Sequence, residues 1–314
     1  GKKEGREVRG EGFCRKKVRM AEDIPTAWDN WDVDADIECK FADRSALISR
    51  EVVSVGAAAA VIRSKYSISK KSTITQDAIY FADTAEIRFD TLMDWQDDHR
   101  FLKTAFDTSV KSNFARFEIQ YGNVLRPTTR NDSVEKAKFE VVNHKYTDLS
   151  ETRFGVAMLN DSKYGISVEG GNMRLSLHKG GNRPDYEGDK GLHRTVYSFL
   201  PHNSGFCAEE VIRPAYELNI PVVAGKGDFE AVALVLPKAA NIIVESIKPC
   251  EDNEKAFIAR LYEAEGTYTN CPVEFFEGAK KIEITNMLEE IQQSFEGGEL
   301  AFKPFEIKTL KISY

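Results

Sequence analysis

The chain has 314 residues, 42% hydrophobic and 30% charged, with a formal net charge of −7. That length allows one large or two ordinary domains with real cores, and the composition is that of a globular protein. The acidic balance argues against nucleic acid as a partner, and no apolar run approaches the roughly 20 residues of a membrane span.

Taken from the start, GKKEGREVRGEG has no apolar stretch of the kind a secretion signal carries. Arg15-Lys16-Lys17 is the nearest thing to a basic patch and reads as a solvated strand face. Period-two alternation then dominates. In AEIRFDTLMDW, Ile87, Phe89, Thr91, Met93 and Trp95 share one face; Arg88, Asp90 and Asp94 share the other, with Leu92 the exception. STITQDAIYF, ARFEIQYG, AKFEVVNH, GVAML, RLSLH and TVYSFLPH repeat the idea. GVAMLNDSKYGISVEGGNMRLSLH (155–178) reads as strand, polar turn, strand, glycine turn, strand, and it feeds a long polar loop, KGGNRPDYEGDKGLH. EEVIRPAYEL (209–218) suits one or two helical turns, whereas TNMLEEIQQSF (285–295) has only a weak apolar stripe.

Pro, Gly and charge in NIPVVAGKGD mark a boundary at 219. FEAVALVLP, NIIVESIKP, KAFIARLYEA, KKIEITN and FKPFEIKTLKISY after it read as five short strands. The fold class is therefore all-β. A large sandwich over residues 1–218 is followed by a smaller β domain over 219–314.

Chemistry-bearing patterns are sparse. Five cysteines, odd in number and widely spaced with no C-x-x-C, fit a reducing compartment, so the cytoplasm is the expected location. Asn131-Asp132-Ser133 and Asn160-Asp161-Ser162 match the glycosylation sequon and read as turns. No H-E-x-x-H, G-x-S-x-G or P-loop occurs, and Cys207 reads as a small buried hydrophobe. His178, Asp185, Asp189 and His193 gather around the polar loop, but their spacing matches no zinc pattern. Glycosidic hydrolysis needs two carboxylates, and Asp185, Glu187 and Asp189 in one loop do not establish a pair. The residues by themselves give an all-β chain with a polar loop and no self-sufficient active site.

Longer motifs carry a resemblance. IPTAWDNWDVD (24–34), WQDDHRFLKTAF, FEIQYGNVLRPTTRN, FEVVNHKYTDLSE, GVAMLNDSKYG, NRPDYEGDKGLHRTVYSFLPH (182–202), AYELNIP and FKPFEIKTLKI resemble, in order, stretches of the C-terminal β region of glycoside hydrolase family 38 α-mannosidases. The resemblance implies a mutarotase-like super-sandwich whose first strands lie upstream of Gly1. It also implies a retaining enzyme whose aspartate nucleophile and zinc belong to a preceding barrel and helical bundle. This chain alone is then expected to be inactive, with no catalytic or metal-binding residue of its own. Its partners would be those domains and a mannose-containing glycan, in a homo-oligomer without nucleic acid or membrane contact. The 178–193 loop would approach the sugar, with Asn182 and Arg183 as donors, Asp185 and Asp189 as acceptors, and His193 beside them. Glycines 180, 181 and 188 would let backbone come close to a ligand. Trp28 and Trp31 would face the missing domain or a sugar; three apart on a strand, one of them would be core. The alternative is a stand-alone carbohydrate-binding or mutarotase-like sandwich, with His144 and Glu118 as conceivable acid–base partners.

Overall fold

The computed structural model describes residues 16–228 and 233–314. Cys14, Arg15 and the GREVRGEGFC stretch lie outside the described residues, as does 229–232 of the expected strand FEAVALVLP. The chain divides into two compact units. Among the described residues, one comprises 16–118, 125–206 and 214–220; the other comprises 119–124, 207–213, 221–228 and 233–314.

The first unit is built on two antiparallel sheets. The six-stranded sheet runs Val141–Val142, Gly165–Glu169, Asn172–Gly180, Arg100–Asp107, Lys17–Glu22, Ala42–Asp43. The nine-stranded sheet runs Ala46–Val55, Ala59–Ser67, Thr73–Phe81, Ile87–Trp95, Gly191–His202, Gly155–Asn160, Tyr146–Ser150, Phe114–Ile119, Gly122–Pro127. Aromatic contacts join the two inner faces: Phe106 lies 5.8 Å from Phe89 and 4.8 Å from Phe199, ring centre to ring centre. The alternation in Ile87–Trp95 is the reason. Phe89, Thr91, Met93 and Trp95 are buried between the sheets, while Leu92 faces solvent. Arg100–Asp107 is buried on both faces. The segment Ile37–Lys40 and its neighbours cover its outer side, with Phe41 packed on Phe101.

The second unit is a smaller sandwich. A three-stranded sheet (Val235–Pro237, Thr269–Phe275, Glu299–Phe302) faces a five-stranded one (Ile242–Pro249, Ala256–Glu263, Ile307–Ser313, Lys281–Thr285, Ile291–Phe295). Cys271, Leu300 and Phe302 of the first meet Leu261, Leu310 and Ile312 of the second in a buried apolar core.

Several expectations are corrected. The second unit has eight described strands, not five; Thr269–Phe275, Ile291–Phe295 and Glu299–Phe302 were not expected. AKFEVVNH is not a strand: Asp132 caps the Glu135 amide (2.8 Å) and starts a short helix, Ser133–Ala137, leaving only Val141–Val142 extended. Lys16 is not on a solvated face. Its ammonium donates to Gln76 and sits 4.6 Å from the Phe89 ring centre; burial depresses its pKa to about 7. Residues 208–219 are helical, a π turn leading into an α segment, and Cys207 just before them is half-buried.

Candidate functional site

Residues 23–31, 97–100 and 179–190 of the first unit meet at one end of its sheets. The first turns back on itself at Trp28, whose φ is +58°, with the Trp31 and Asp32 amides donating to the Trp28 carbonyl (2.7 and 2.9 Å). A turn, not a strand, thus presents both indoles outward: Trp28 is 71% and Trp31 73% exposed, and neither is core. Together with Ile24, Pro25, His99, Arg183 and Pro184 they line an open cleft of about 430 Å³. Apolar rings beside a few placed polar groups are the usual make-up of a small-ligand cleft.

Asp29 sits at its base. Its carboxylate accepts from the Asn182 amide (2.9 Å) and from His99 Nε2 (3.2 Å), and its carbonyl accepts from Lys179. Burial pushes the Asp29 carboxyl up, but the Asn182 amide and the His99 ring outweigh it and hold the pKa below the usual value. Lys179 also pairs with Asp23 (3.0 Å), whose carboxyl burial holds above its ordinary value against the pull of the lysine.

The expected loop residues separate into two groups. Arg183 lines the cleft and lies over the Tyr186 ring at 5.8 Å, while the Asn182 amide donates to Asp29. Asp185 accepts from the Glu187 amide (3.0 Å) and turns the loop locally. Asp189 has φ +55°, and its carbonyl meets His193 Nε2 at the loop's exit, away from the cleft-lining residues. The close approach that the glycines permit is to this chain itself. A Cβ on Gly181 would fall 2.0 Å from Asn30 Oδ1, and one on Gly180 would fall 2.4 Å from Trp95 Nε1. Asp29, His99 and Lys179 were missed; Asp29 lies inside the quoted tryptophan motif, so the signal was present but was assigned to its indoles.

Behind the loop the His193 ring packs on His178 (4.5 Å), which packs on Trp95 (4.6 Å). Trp95 Nε1 and His178 Nε2 are both buried with no hydrogen-bond partner among the described residues. Burial, reinforced by His193 and Lys163, lowers the His178 pKa to about 3. Among the described residues no group of three His, Cys, Asp or Glu is arranged to hold a metal ion. Of the rival acid–base pair, Glu118 is buried and engages Lys145 (2.8 Å), while the His144 ring lies against Tyr164.

The profile of the glycosyl hydrolases family 38 C-terminal domain matches residues 1–187, and that of the family's C-terminal beta sandwich domain matches 241–310. The chain belongs to glycosyl hydrolase family 38, as part of its C-terminal region. This family 38 region is 32% identical to human alpha-mannosidase 2C1 over 98% of its length, and 32% identical to Dictyostelium discoideum alpha-mannosidase G over 97%. It spans only 31% and 30% of those two proteins. An alpha-mannosidase from Enterococcus faecalis shares the fold, with a TM-score of 0.77 at 15% identity, over 94% of this chain and 38% of that one.

Proposed function

We propose that this family 38 region is the C-terminal β portion of a retaining, zinc-dependent α-mannosidase acting on terminal α-mannosides of a glycan. Its part is to supply loops to the sugar cleft and an interface to the N-terminal catalytic and helical domains. The cleft carries the reading: two exposed tryptophans and an arginine share one concave surface of about 430 Å³. An indole face packs on the apolar face of a pyranose, and a guanidinium offers a planar fork to vicinal hydroxyls.

In this proposal the zinc and the aspartate nucleophile belong to the N-terminal region, where the metal would bind sugar hydroxyls and steady an oxocarbenium-like ring. The work proposed for this chain's donors is to bind and orient. The full-length protein is proposed to be a cytoplasmic homo-oligomer. The free cysteines Cys39, Cys250 and Cys271 suit a reducing compartment, and the edge strand Ala46–Val55 is exposed along all ten residues. No described helix is long and apolar enough to cross a membrane.

Hydrolysis of an aryl α-mannoside by the full-length protein, followed by NMR of the first-formed sugar, tests the reading. Release of α-mannose with about one zinc per chain is expected, and no turnover by residues 1–314 alone. Release of β-mannose, or full activity in the isolated region, would refute it.

A further inference from the structure

Asn182 is the point where the cleft loop leaves its anchorage. Before it the loop is tied at two successive residues: Lys179 to the Asp29 carbonyl and to Asp23, and the Gly180 carbonyl to the His99 amide (2.6 Å). After it the partners are within the loop, Arg183 over Tyr186 and Asp185 on the Glu187 amide, until Lys190 pairs with Asp98 (2.7 Å). The last tie before Arg183 among the described residues is the Asn182 amide on the Asp29 carboxylate.

We propose that Asp29 is a positioning residue, its carboxylate fixing the Asn182 backbone and through it the direction in which Arg183 meets the sugar. This rests on the reading of Arg183 as a sugar donor. A carboxylate suits the task because a hydrogen bond to an ionised acceptor is shorter and stronger than one to a neutral oxygen. His99 Nε2 holds the same oxygen (3.2 Å), a second restraint on the carboxylate beside the Asn182 amide. The turn that presents Asp29 is itself fixed by backbone bonds to the Trp28 carbonyl. A small displacement of a binding group is costly, since a 1 Å misplacement can lose roughly a hundredfold in rate.

The test is a mutant cycle in the full-length enzyme, read as kcat/KM on an aryl α-mannoside. Asp29→Ala should lower it by roughly tenfold to a hundredfold, and Asp29→Asn, which keeps an oxygen for the amide, by less. On an Arg183→Ala background both losses should vanish to within about twofold, because a residue that acts only by placing Arg183 has nothing left to place. If Asp29→Ala does not fold, Asp29→Asn carries the same comparison. Losses that add in full in the double variants overturn the proposal, as does wild-type kcat/KM in Asp29→Ala when Arg183→Ala is impaired. Wild-type kinetics in Arg183→Ala overturn the reading of the loop itself, and this inference with it.

Discussion

At neutral pH the His178 ring carries no charge, because burial opposes a second proton and His193 and Lys163 add to the penalty. The sign of the consequence follows. Between the ordinary value of 6.5 and the folded value of about 3, the unfolded chain binds a proton that the folded chain refuses. Stability is full above pH 6.5 and falls below it, by at most about 1.4 kcal/mol per pH unit. Melting curves from pH 8 to 4 should show the wild type losing ground to His178→Leu only below pH 6.5. A constant difference would mean that the ring reaches solvent. Gly188 makes a second residue-scale case. Its φ is +55°, and a Cβ there would lie 2.1 Å from the Gly181 carbonyl oxygen, a backbone atom that cannot step aside. Gly188→Ala should cost about 1–3 kcal/mol and open the 180–190 loop to proteolysis, which cleavage rates would measure.

Among the elements, those that alternate cleanly were legible. Ile87–Trp95 puts its buried set at every second residue, and a strand between two faces needs no other signal. Ile291–Phe295 was not legible: four of its five residues are exposed, so IQQSF carries no apolar side to read. Thr269–Phe275 was hidden by Pro272, which pairs with Glu299 at the end of its ladder. The short helix at 133–137 was overlooked because Asn131-Asp132-Ser133 reads equally as a turn, and the deciding cap is a side-chain bond. Ala46–Val55 pairs only with Ala59–Ser67, so its other edge is free for a further strand among the described residues, with Val52, Val53 and Val55 exposed. If the oligomer forms along this edge, Val53→Lys with Val55→Lys should shift the full-length protein towards smaller species in sedimentation velocity. An unchanged distribution would place the oligomer contact elsewhere.

For the molecule as a whole, family and fold were carried by long ordered motifs, and the site was carried only in part. NRPDYEGDKG pointed to the loop as a whole; of its residues Arg183 and Pro184 line the cleft and the Asn182 amide bonds to Asp29, but nothing in its spacing told Asp185, Asp189 and His193 apart from them. Which loop residues share a concave surface depends on a turn 150 residues upstream, where the Asp29 carbonyl meets Lys179. Such pairing is set by tertiary packing and leaves no local pattern. The central claim is that this cleft meets the sugar through Arg183. Its most direct test is kcat/KM for Arg183→Ala in the full-length protein on an aryl α-mannoside, the proposed substrate class, with the melting temperature as control. The account predicts a loss of roughly one to three orders of magnitude at an unchanged melting temperature, since exposed-loop substitutions usually stay within about 0.5 kcal/mol. Wild-type kinetics would contradict it.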